Sequence, residues 1–416
     1  MWGFLLVPIG DSILLLYLAT WMIPFHIPFK ALKEKEYLEA TVNSDQKSGN
    51  GEFYRKCQER VNFDFKFQKT IFTNSCTDAL ELAAILLDIK PGDEVILPSY
   101  TFVSTANAFL LRGAKLVFCD SELGNPNLDA NHLEQRISNK TKAVVVVHYG
   151  GRTCNMGLIM ELSQRFGFYV IEDAAQCIGA LKTIPNEEIC TNSKFLGTQG
   201  HLSTFSFHDT KNIHCGEGGL LVVNDNQFAE RAEIIKDKGT NRASFYRGEV
   251  DKYTWVDVGS SFLPSEYNMA VLLAQLEQWQ EVTTRRQQIW HTYHRSFSQF
   301  MDLFPPKNPG NAHNYYLVFY NEIIRNEFIQ QLKNGGIQTS FHYQPLHLSP
   351  MAVFLEGGLV KLPNAEKFGA GLVRLPLYPQ LDDQQVDYIV EQTLKCLESI
   401  KFKEESAGFH RINLTA

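Results

Sequence analysis

The chain has 416 residues, of which 44% are hydrophobic and 20% are charged. That length allows two or more domains with sizeable cores, and the composition excludes a disordered or fibrous protein. A formal net charge of −7 excludes a general nucleic-acid-binding face. The 8 cysteines lack paired CxxC spacing. They therefore predict neither a metal site nor a disulfide framework, and they favour a reducing, cytoplasmic compartment.

Residues 1–21 form an apolar N-terminal extension interrupted by Pro8, Gly10 and Asp11. The uninterrupted stretch that follows, residues 12–23, is shorter than the roughly 20 residues that a membrane-spanning helix needs. The extension has no basic start and no clear signal-peptide cleavage site. We expect an over-extended start ahead of a natural one at Met22, with a weak membrane anchor as the alternative. No membrane partner is expected for the protein as a whole.

From about residue 66, short β-rich runs alternate with helical runs. The strands are predicted at 70–73, 94–97, 115–119, 143–148 and 169–172, and the first helices at 78–87 and 106–111. Strands separated by helices predict a mostly parallel sheet covered on both faces. Ligands of such sheets bind at the carboxyl ends of the strands.

The C-terminal part of the chain has a different pattern. A long helical stretch at 270–297 precedes two predicted strands, 315–320 and 338–342, that flank a helix at 326–333. We interpret residues 22–270 as a large domain, and residues 271–416 as an interdomain helix with a small C-terminal domain. The polar tail from Lys401 is predicted to be frayed.

Lys211 and Asp173 carry the clearest chemical signal. Lys211 follows a predicted buried strand and precedes the glycine-rich run 216–219, and Asp173 follows a second apolar strand. A lysine amine can form a Schiff base with pyridoxal phosphate and then act as a general base, provided that its pKa falls below about 10.4. A carboxylate beside the pyridine nitrogen lets the ring take up electrons. Either residue alone is more often a solvated loop residue or a helix cap.

A phosphate cradle is predicted where residues 73–80 pass from strand to helix. Backbone amides near Cys76 and Thr77 would face an anion at the helix N-terminus, and Ser206 would add a hydroxyl. Simple N-capping of the helix is an equally good interpretation. Phe102, just beyond a strand end, could stack on the pyridine ring or be an ordinary core residue. No Walker loop or GxGxxG fingerprint competes for the phosphate-binding role.

The chain resembles a known family in these residues and in four longer sequence strings, at 98–108, 238–242, 251–255 and 259–261. From Met22 to nearly the C-terminus it resembles the sugar aminotransferases of the DegT/DnrJ/EryC1/StrS family. The resemblance implies an α/β fold of the aspartate aminotransferase type (pyridoxal phosphate fold type I), with a mostly parallel large domain and a smaller C-terminal α+β domain. It assigns the Schiff base to Lys211, the pyridine-nitrogen contact to Asp173, a cofactor-hydroxyl contact to Gln176, stacking to Phe102, and phosphate contacts to Cys76, Thr77 and Ser206.

The resemblance also implies a reaction. L-glutamate would give its amino group, through pyridoxal 5'-phosphate, to the C4 ketone of dTDP-4-dehydro-6-deoxy-D-glucose. The products would be 2-oxoglutarate and dTDP-4-amino-4,6-dideoxy-D-galactose, a precursor of surface polysaccharides such as enterobacterial common antigen or lipopolysaccharide. The resemblance further implies a homodimer with shared active sites.

Substrate contacts are less sharply indicated. Arg242, Arg247 and Lys252 are candidates for binding the carboxylates and the diphosphate, although a solvated face suits each of them. Further candidates are His342, Tyr343 and His347, because their segment resembles a family segment near the active-site rim. A packed or hydrogen-bonded role is an equal alternative for these three, and their spacing does not predict a metal site.

The sequence departs from the family pattern at three places. His214 and Cys215 stand where many relatives have small hydroxylic residues. Leu263 stands where relatives bring an asparagine to the neighbouring subunit's phosphate, a contact for which Ser260 or Ser261 could substitute. Residues 183–193 form a longer stretch than usual, which we expect to be a surface loop.

Three other functions are open alternatives. An aminotransferase acting at another carbon, such as C3, would share every cofactor motif. A sugar dehydratase on the same fold is disfavoured, because in that relative a histidine replaces the lysine that is intact here as Lys211. A non-catalytic binding protein would have no reason to keep Lys211, Asp173 and the cradle together.

Overall fold

A computed structural model describes residues 3–9, 12–18, 22–182, 195–356 and 360–406. The strands are β1 (Gly3–Ile9), β2 (Ser12–Leu18), β3 (Lys69–Thr73), β4 (Glu94–Pro98), β5 (Lys115–Cys119), β6 (Ser121–Glu122), β7 (Asn125–Leu128), β8 (Thr141–Val147), β9 (Tyr169–Asp173), β10 (Leu202–Ser206), β11 (Gly219–Val223), β12 (Tyr316–Val318) and β13 (Leu372–Arg374). The helices are α1 (Glu34–Asn43), α2 (Glu52–Phe65), α3 (Cys76–Leu86), α4 (Ser104–Leu110), α5 (Ala130–Arg136), α6 (Met156–Phe166), α7 (Ala229–Lys236), α8 (Arg242–Tyr246), α9 (Glu266–Glu277), α10 (Trp279–Phe297), α11 (Glu322–Asn334), α12 (Pro350–Glu356), α13 (Pro363–Gly371) and α14 (Asp383–Ser406).

A seven-stranded sheet in the order β3-β11-β10-β9-β8-β4-β5 forms the centre of the fold. Only β11 runs against its neighbours, because it pairs antiparallel with both β3 and β10. The predicted mostly parallel sheet is therefore confirmed. Each strand predicted for it occurs within a residue or two of its expected bounds.

The side chains of β8 show why this sheet is covered on both faces. Ala143 and Val145 pack into one apolar cluster, whereas Val144 and Val146 pack into another. Successive side chains of a strand point to opposite faces, so a run of apolar residues requires helices on both sides. Helices on these faces carry the chain back to the edge where each parallel strand begins, so the parallel strands all end at the opposite edge.

The C-terminal part differs from the prediction in two respects. The expected helix at 270–297 is two helices, α9 and α10, separated at Gln278, whose backbone is not helical (φ −112°, ψ 11°). The expected strand at 338–342 is wrong, since this stretch makes only an isolated bridge from Ser340 to Arg374. The partner of β12 is instead β13, in a small antiparallel sheet. Residue 270 lies within α9, and the domain boundary placed there stays a prediction.

The small sheet packs with α10, α11 and α14 around its own apolar cluster, which includes Trp290, Tyr315 and Phe328. Helix α14 continues to Ser406, so the tail is helical beyond the point where fraying was predicted. Residues 407–416 lie outside the described residues. The smaller C-terminal α+β unit expected from the sequence is present.

Several expectations concern regions that the structure covers only in part. In the N-terminal extension, β1 and β2 pair antiparallel, and its interpretation as an over-extended start or an anchor stays a prediction. The loop expected at 183–193, with Cys190, lies outside the described residues. The seven described cysteines are free. Within the described ranges, no helix is both long enough and apolar enough to cross a membrane.

Candidate active site

The predicted cofactor residues converge on one edge of the central sheet. Asp173 is the last residue of β9 and Ser206 the last of β10, and Lys211 lies in the turn that follows β10. Helix α3 begins with Cys76 three residues after β3 ends. Because these strands run parallel, their carboxyl ends bring all four residues to the same side of the sheet.

Lys211 is held by a local turn, in which its backbone N–H donates to the carbonyl oxygen of His208 at 2.9 Å. The side chain is half-buried. Burial lowers the pKa of the Lys211 amine, although nearby Cys76 and Asp173 act in the opposite direction. The sequence argument required a lysine whose pKa is lowered, and burial supplies that change.

Asp173 is a buried carboxylate with two fixed donors. The hydroxyl of Thr105 donates to Oδ2 at 2.8 Å, and the backbone N–H of Ala175 donates to Oδ1 at 3.2 Å. Burial raises the pKa of Asp173, while these two hydrogen bonds and the charge of Lys211 oppose the rise. A buried carboxylate of fixed orientation suits a cationic ring nitrogen, because the paired charge would offset its desolvation.

The predicted phosphate cradle lies at the start of α3. Ser75 caps the helix by accepting a hydrogen bond from the Asp78 N–H at 3.0 Å. The amides of Cys76 and Thr77 belong to the first turn, at the positive end of the helix, where they have no partner within the helix. The Thr77 hydroxyl lies 2.7 Å from that of Ser104. Burial raises the pKa of the Cys76 thiol, so this side chain stays neutral beside an anion.

Gly219 lies against this loop, where a larger residue would clash with the backbone. It is the first residue of β11, and a Cβ atom at this position would lie 2.2 Å from the Ser75 oxygen and 2.5 Å from the Cys76 nitrogen. Only a residue without a side chain allows β11 to pass this close beneath the loop. The glycine-rich run after Lys211 therefore helps to shape the loop predicted to bind the phosphate.

Gln176 and Tyr343 form the next part of the wall. The Gln176 side chain accepts from the Gly150 N–H at 2.7 Å and donates to the Tyr343 hydroxyl at 3.0 Å. Phe102 is 56% exposed, and its ring centroid lies 6.3 Å from that of Tyr343. An exposed phenylalanine beside a polar site is free to cover a planar ligand.

His342 belongs to the same wall. Its ring stacks on Tyr343 with centroids 3.6 Å apart, and its Nδ1 lies 2.7 Å from the Tyr149 hydroxyl. Burial, followed by the charge of Arg374, lowers the pKa of His342 well below its usual value. A neutral His342 can accept a hydrogen bond at Nδ1 from the Tyr149 hydroxyl.

Other predicted residues lie apart from this group. His347 is buried and lies within hydrogen-bond distance of the Ser99 hydroxyl at 2.6 Å and the Glu366 carboxylate at 3.3 Å. Arg242 contacts the Tyr246 hydroxyl at 3.0 Å, and Arg247 pairs with glutamates of its own segment. Lys252 is exposed. The substrate roles predicted for these residues stay predictions.

Sequence reasoning missed three residues at this site. Tyr149 lies two residues after the end of β8, so the rule that ligands lie at carboxyl strand ends could have found it. Thr105 and Arg374 carried no such signal. Thr105 reaches Asp173 across 68 positions of sequence, and Arg374 ends a strand of three residues.

The chemistry that this edge of the sheet supports is specific. A lysine with a lowered pKa, a buried carboxylate and an anion cradle fit the aldehyde, ring nitrogen and phosphate of pyridoxal phosphate. No group of three or more metal-ligating side chains occurs in the described part of the chain. Fold and site together define the class: a pyridoxal phosphate enzyme with the aspartate aminotransferase fold.

Comparison with known proteins identifies the family. The model of the DegT/DnrJ/EryC1/StrS aminotransferase family matches residues 30–394, and the chain belongs to this family. It is thus a pyridoxal-phosphate-dependent sugar aminotransferase.

Individual relatives agree with this assignment. GDP-perosamine synthase of Escherichia coli O157:H7 is 32% identical over 377 residues, covering 89% of this chain and 97% of the relative. The dTDP-4-dehydro-2,3,6-trideoxy-D-glucose 4-aminotransferase of Saccharopolyspora spinosa is 32% identical, covering 80% of this chain and 85% of the relative. The crystal structure of the aminotransferase TlmJ from Streptoalloteichus hindustanus superposes with a TM-score of 0.80 at 27% identity, covering 91% of this chain and 100% of that one.

Proposed function

We propose that this enzyme transfers the amino group of L-glutamate to the C4 ketone of dTDP-4-dehydro-6-deoxy-D-glucose. The products are 2-oxoglutarate and dTDP-4-amino-4,6-dideoxy-D-galactose. The observation that carries amino transfer is the placement of Lys211, with its lowered pKa, at the same sheet edge as Asp173 and the cradle. The choice of C4 is supported by the resemblance to dTDP-4-amino-4,6-dideoxygalactose transaminases and by the 4-aminotransferase among the relatives.

Each residue of the site has a defined task in this proposal. The bound cofactor supplies an electron sink for the carbon that loses a proton. Lys211 moves that proton, because burial lowers the pKa of its amine and makes a neutral base accessible. Asp173, oriented by Thr105, holds negative charge at the ring nitrogen.

The remaining cofactor residues position the ring and its phosphate. Gln176 would contact the ring hydroxyl, and Phe102 would cover one ring face. The phosphate would be held by Cys76, Thr77 and Ser206. All of these residues are at or near the carboxyl ends of strands or at the start of a helix.

Three of the four sequence strings that carry the family resemblance lie together in the structure. Thr240 bridges Trp255, and Asp237 bridges Ser261, so residues 238–242, 251–255 and 259–261 form one surface segment. Trp255 in this segment is 76% exposed. We propose that the segment meets the nucleotide sugar or the second subunit of a homodimer, and that Arg242, Arg247 and Lys252 bind the diphosphate.

The test is an incubation of the purified enzyme with pyridoxal phosphate, L-glutamate and the keto-sugar linked either to dTDP or to GDP. The product is identified by mass spectrometry and NMR. We expect the 4-amino galacto sugar from the dTDP substrate, and no product from Lys211→Ala. Lys35→Ala is the matched control, since this lysine is a surface residue of α1 paired with Glu39.

Three results would correct the proposal in different ways. A parallel incubation supplies a nucleotide-linked 3-keto-sugar, and amination of that substrate alone would move the reaction to another carbon. Turnover of the GDP substrate alone would change the nucleotide. Conversion of glutamate to 2-oxoglutarate without change in either sugar would refute the substrate and leave the aminotransferase class intact.

A further inference from the structure

A pair of buried threonines lies behind Asp173. Thr101 lies shortly after the end of β4, and Thr105 lies in the first turn of α4. Both residues are buried. The Thr105 hydroxyl donates to Asp173 Oδ2 at 2.8 Å, and the Thr101 hydroxyl lies 2.9 Å from that of Thr105. Thr101, Thr105 and Asp173 thus form one hydrogen-bonded series, which we call the hydroxyl chain.

The hydroxyl chain has a fixed direction. An ionised carboxylate has no hydrogen to donate, so the single hydrogen of the Thr105 hydroxyl goes to Asp173. Toward Thr101, the Thr105 oxygen can then only accept, which makes Thr101 the donor at the start of the chain. Successive hydrogen bonds polarise one another, so the Thr101 hydroxyl strengthens the bond that Thr105 gives to the carboxylate.

Packing alone does not account for these two hydroxyls. A threonine hydroxyl in a helix commonly bonds to a backbone carbonyl of the preceding turn. The hydroxyl of Thr105 instead crosses to β9, 68 positions along the chain. Valine at both positions would keep the shape of the core and leave no hydroxyl to satisfy. The polar atoms of the pair therefore act on Asp173.

The hydroxyl chain affects the basicity of Asp173. Burial raises the pKa of this carboxyl, and the hydrogen bond from Thr105 is the largest influence that opposes the rise. A carboxylate that is less basic leaves a shared proton on its partner. Beside the pyridine nitrogen of the cofactor, the chain would therefore keep the proton on the ring.

The same stretch of backbone reaches the phosphate cradle. The Thr105 N–H donates to the Phe102 carbonyl at 3.2 Å and closes a turn that contains Ser104. The Ser104 hydroxyl lies 2.7 Å from that of Thr77. When Thr77 donates its hydrogen to a phosphate dianion, its oxygen accepts from Ser104 by the same reasoning. Residues 101–105 therefore contact side chains at both ends of the predicted cofactor site.

We propose that residues 101–105 form a positioning turn for the cofactor. Thr101 acts through Thr105 and Asp173 to keep the proton on the ring nitrogen, and Ser104 acts through Thr77 to orient the phosphate. The inference rests on the contact between Asp173 and the ring nitrogen in the proposed function. Thr101 and Ser104 are positioning residues, because each acts through another side chain.

The first test records the solid-state ¹⁵N NMR signal of the ring nitrogen in enzyme loaded with ¹⁵N-labelled pyridoxal phosphate. We expect Thr105→Val to move this signal toward that of an unprotonated pyridine, and Thr101→Val to move it part of the way. Thr101→Ser, which keeps the hydroxyl, should give the wild-type signal. Thr41→Val is the matched control, because it removes a buried hydroxyl of α1 that donates to the Tyr37 carbonyl at 2.9 Å. It should leave the signal unchanged.

A variant with both Thr101→Val and Thr105→Val decides whether Thr101 acts through Thr105. Its ring-nitrogen signal and its rate of glutamate conversion should equal those of Thr105→Val alone, because Thr101 then has no acceptor through which to act. Thr101→Val alone should lower the rate at saturating glutamate about 3- to 10-fold, with a smaller change in the half-saturating concentration. Additive effects of the two substitutions would overturn the hydroxyl chain, as would a wild-type signal in Thr101→Val.

The second test titrates cofactor-free protein with pyridoxal phosphate. Ser104→Ala should lower the affinity about 3- to 10-fold and leave the ring-nitrogen signal in its wild-type position. Ser104→Thr keeps the hydroxyl and should keep the affinity. Wild-type affinity in Ser104→Ala would overturn the role of Ser104. Circular dichroism and the visible absorbance of bound cofactor verify that each variant is folded and loaded.

Failure of the proposed function has a different signature. If Thr101→Val moves the ring-nitrogen signal but the wild type aminates no keto-sugar, the proposed sugar is wrong and the positioning turn stands. If neither Thr105→Val nor Asp173→Asn moves the signal, the proposed contact of Asp173 is wrong and the inference falls with it. If Asp173→Asn moves the signal and Thr101→Val does not, the contact stands and the hydroxyl chain is wrong.

Discussion

Gly219→Ala tests whether the close approach of β11 to the start of α3 forms the phosphate site. The added Cβ would lie 2.2 Å from the Ser75 oxygen, whereas an ordinary contact needs about 3.5 Å. One of the two backbones must therefore move by about 1 Å. Gly219 pairs with both Thr73 and Ser206 in the sheet, so the Ser75–Cys76 loop is the part that yields.

Two magnitudes follow from that displacement. Overpacking of this kind costs about 1–3 kcal/mol of unfolding free energy. Loss of one or two amide hydrogen bonds to an anion should lower the affinity for pyridoxal phosphate about 10- to 100-fold. Since Lys211 is untouched, the variant should still bind the cofactor at high concentration and then turn over glutamate.

The assay titrates cofactor-free protein with pyridoxal phosphate, followed by visible absorbance, together with urea unfolding. Gly157→Ala in α6 is the matched control, because its added Cβ would meet only Asn155 Oδ1 at 3.8 Å. It should bind the cofactor like the wild type and be more stable by up to about 1 kcal/mol. Wild-type cofactor affinity and stability in Gly219→Ala would refute the steric argument.

Three further predictions concern buried ionisable groups. Thr105→Val removes a hydrogen bond that opposes the burial-raised pKa of Asp173, so the acid limb of the pH profile of glutamate turnover should shift to higher pH. Burial lowers the pKa of Lys211 below its usual 10.5, so its ammonium destabilises the folded cofactor-free protein at pH 7. Lys211→Met should therefore be more stable in urea at pH 7, by a margin that shrinks as pH rises toward 10.5. Burial acts to raise the pKa of Glu172, but hydrogen bonds from His148 and backbone amides outweigh it and hold the pKa below the usual 4.5. Glu172→Gln should therefore lose about 1–3 kcal/mol of unfolding free energy at pH 7, by a margin that shrinks as pH falls below 4.5.

The central sheet and the cofactor residues could be predicted because local signals and chemical requirements agreed. The apolar run of β8 requires burial on both faces, and a lysine and an aspartate after successive buried strands must meet at the carboxyl edge of a parallel sheet. Only a few residue types can perform the chemistry assigned to Lys211 and Asp173.

Other features depend on contacts that a sequence pattern does not contain. Residues 338–342 have strand-like composition, yet the strand they reach, β13, is only three residues long, and a single bridge forms at Ser340. The break at Gln278 arises in a continuous helical pattern. Arg374 gained its position from this small sheet, which is why it could not be recognised in advance.

The central claim is that Lys211 is the residue that holds pyridoxal phosphate. The direct measurement is borohydride reduction of the cofactor-loaded enzyme, followed by proteolysis and mass spectrometry of the peptides. We predict the mass of a pyridoxyl phosphate group on Lys211 and its absence after prior removal of the cofactor. The label on another lysine, or on none, would contradict the assignment of this site.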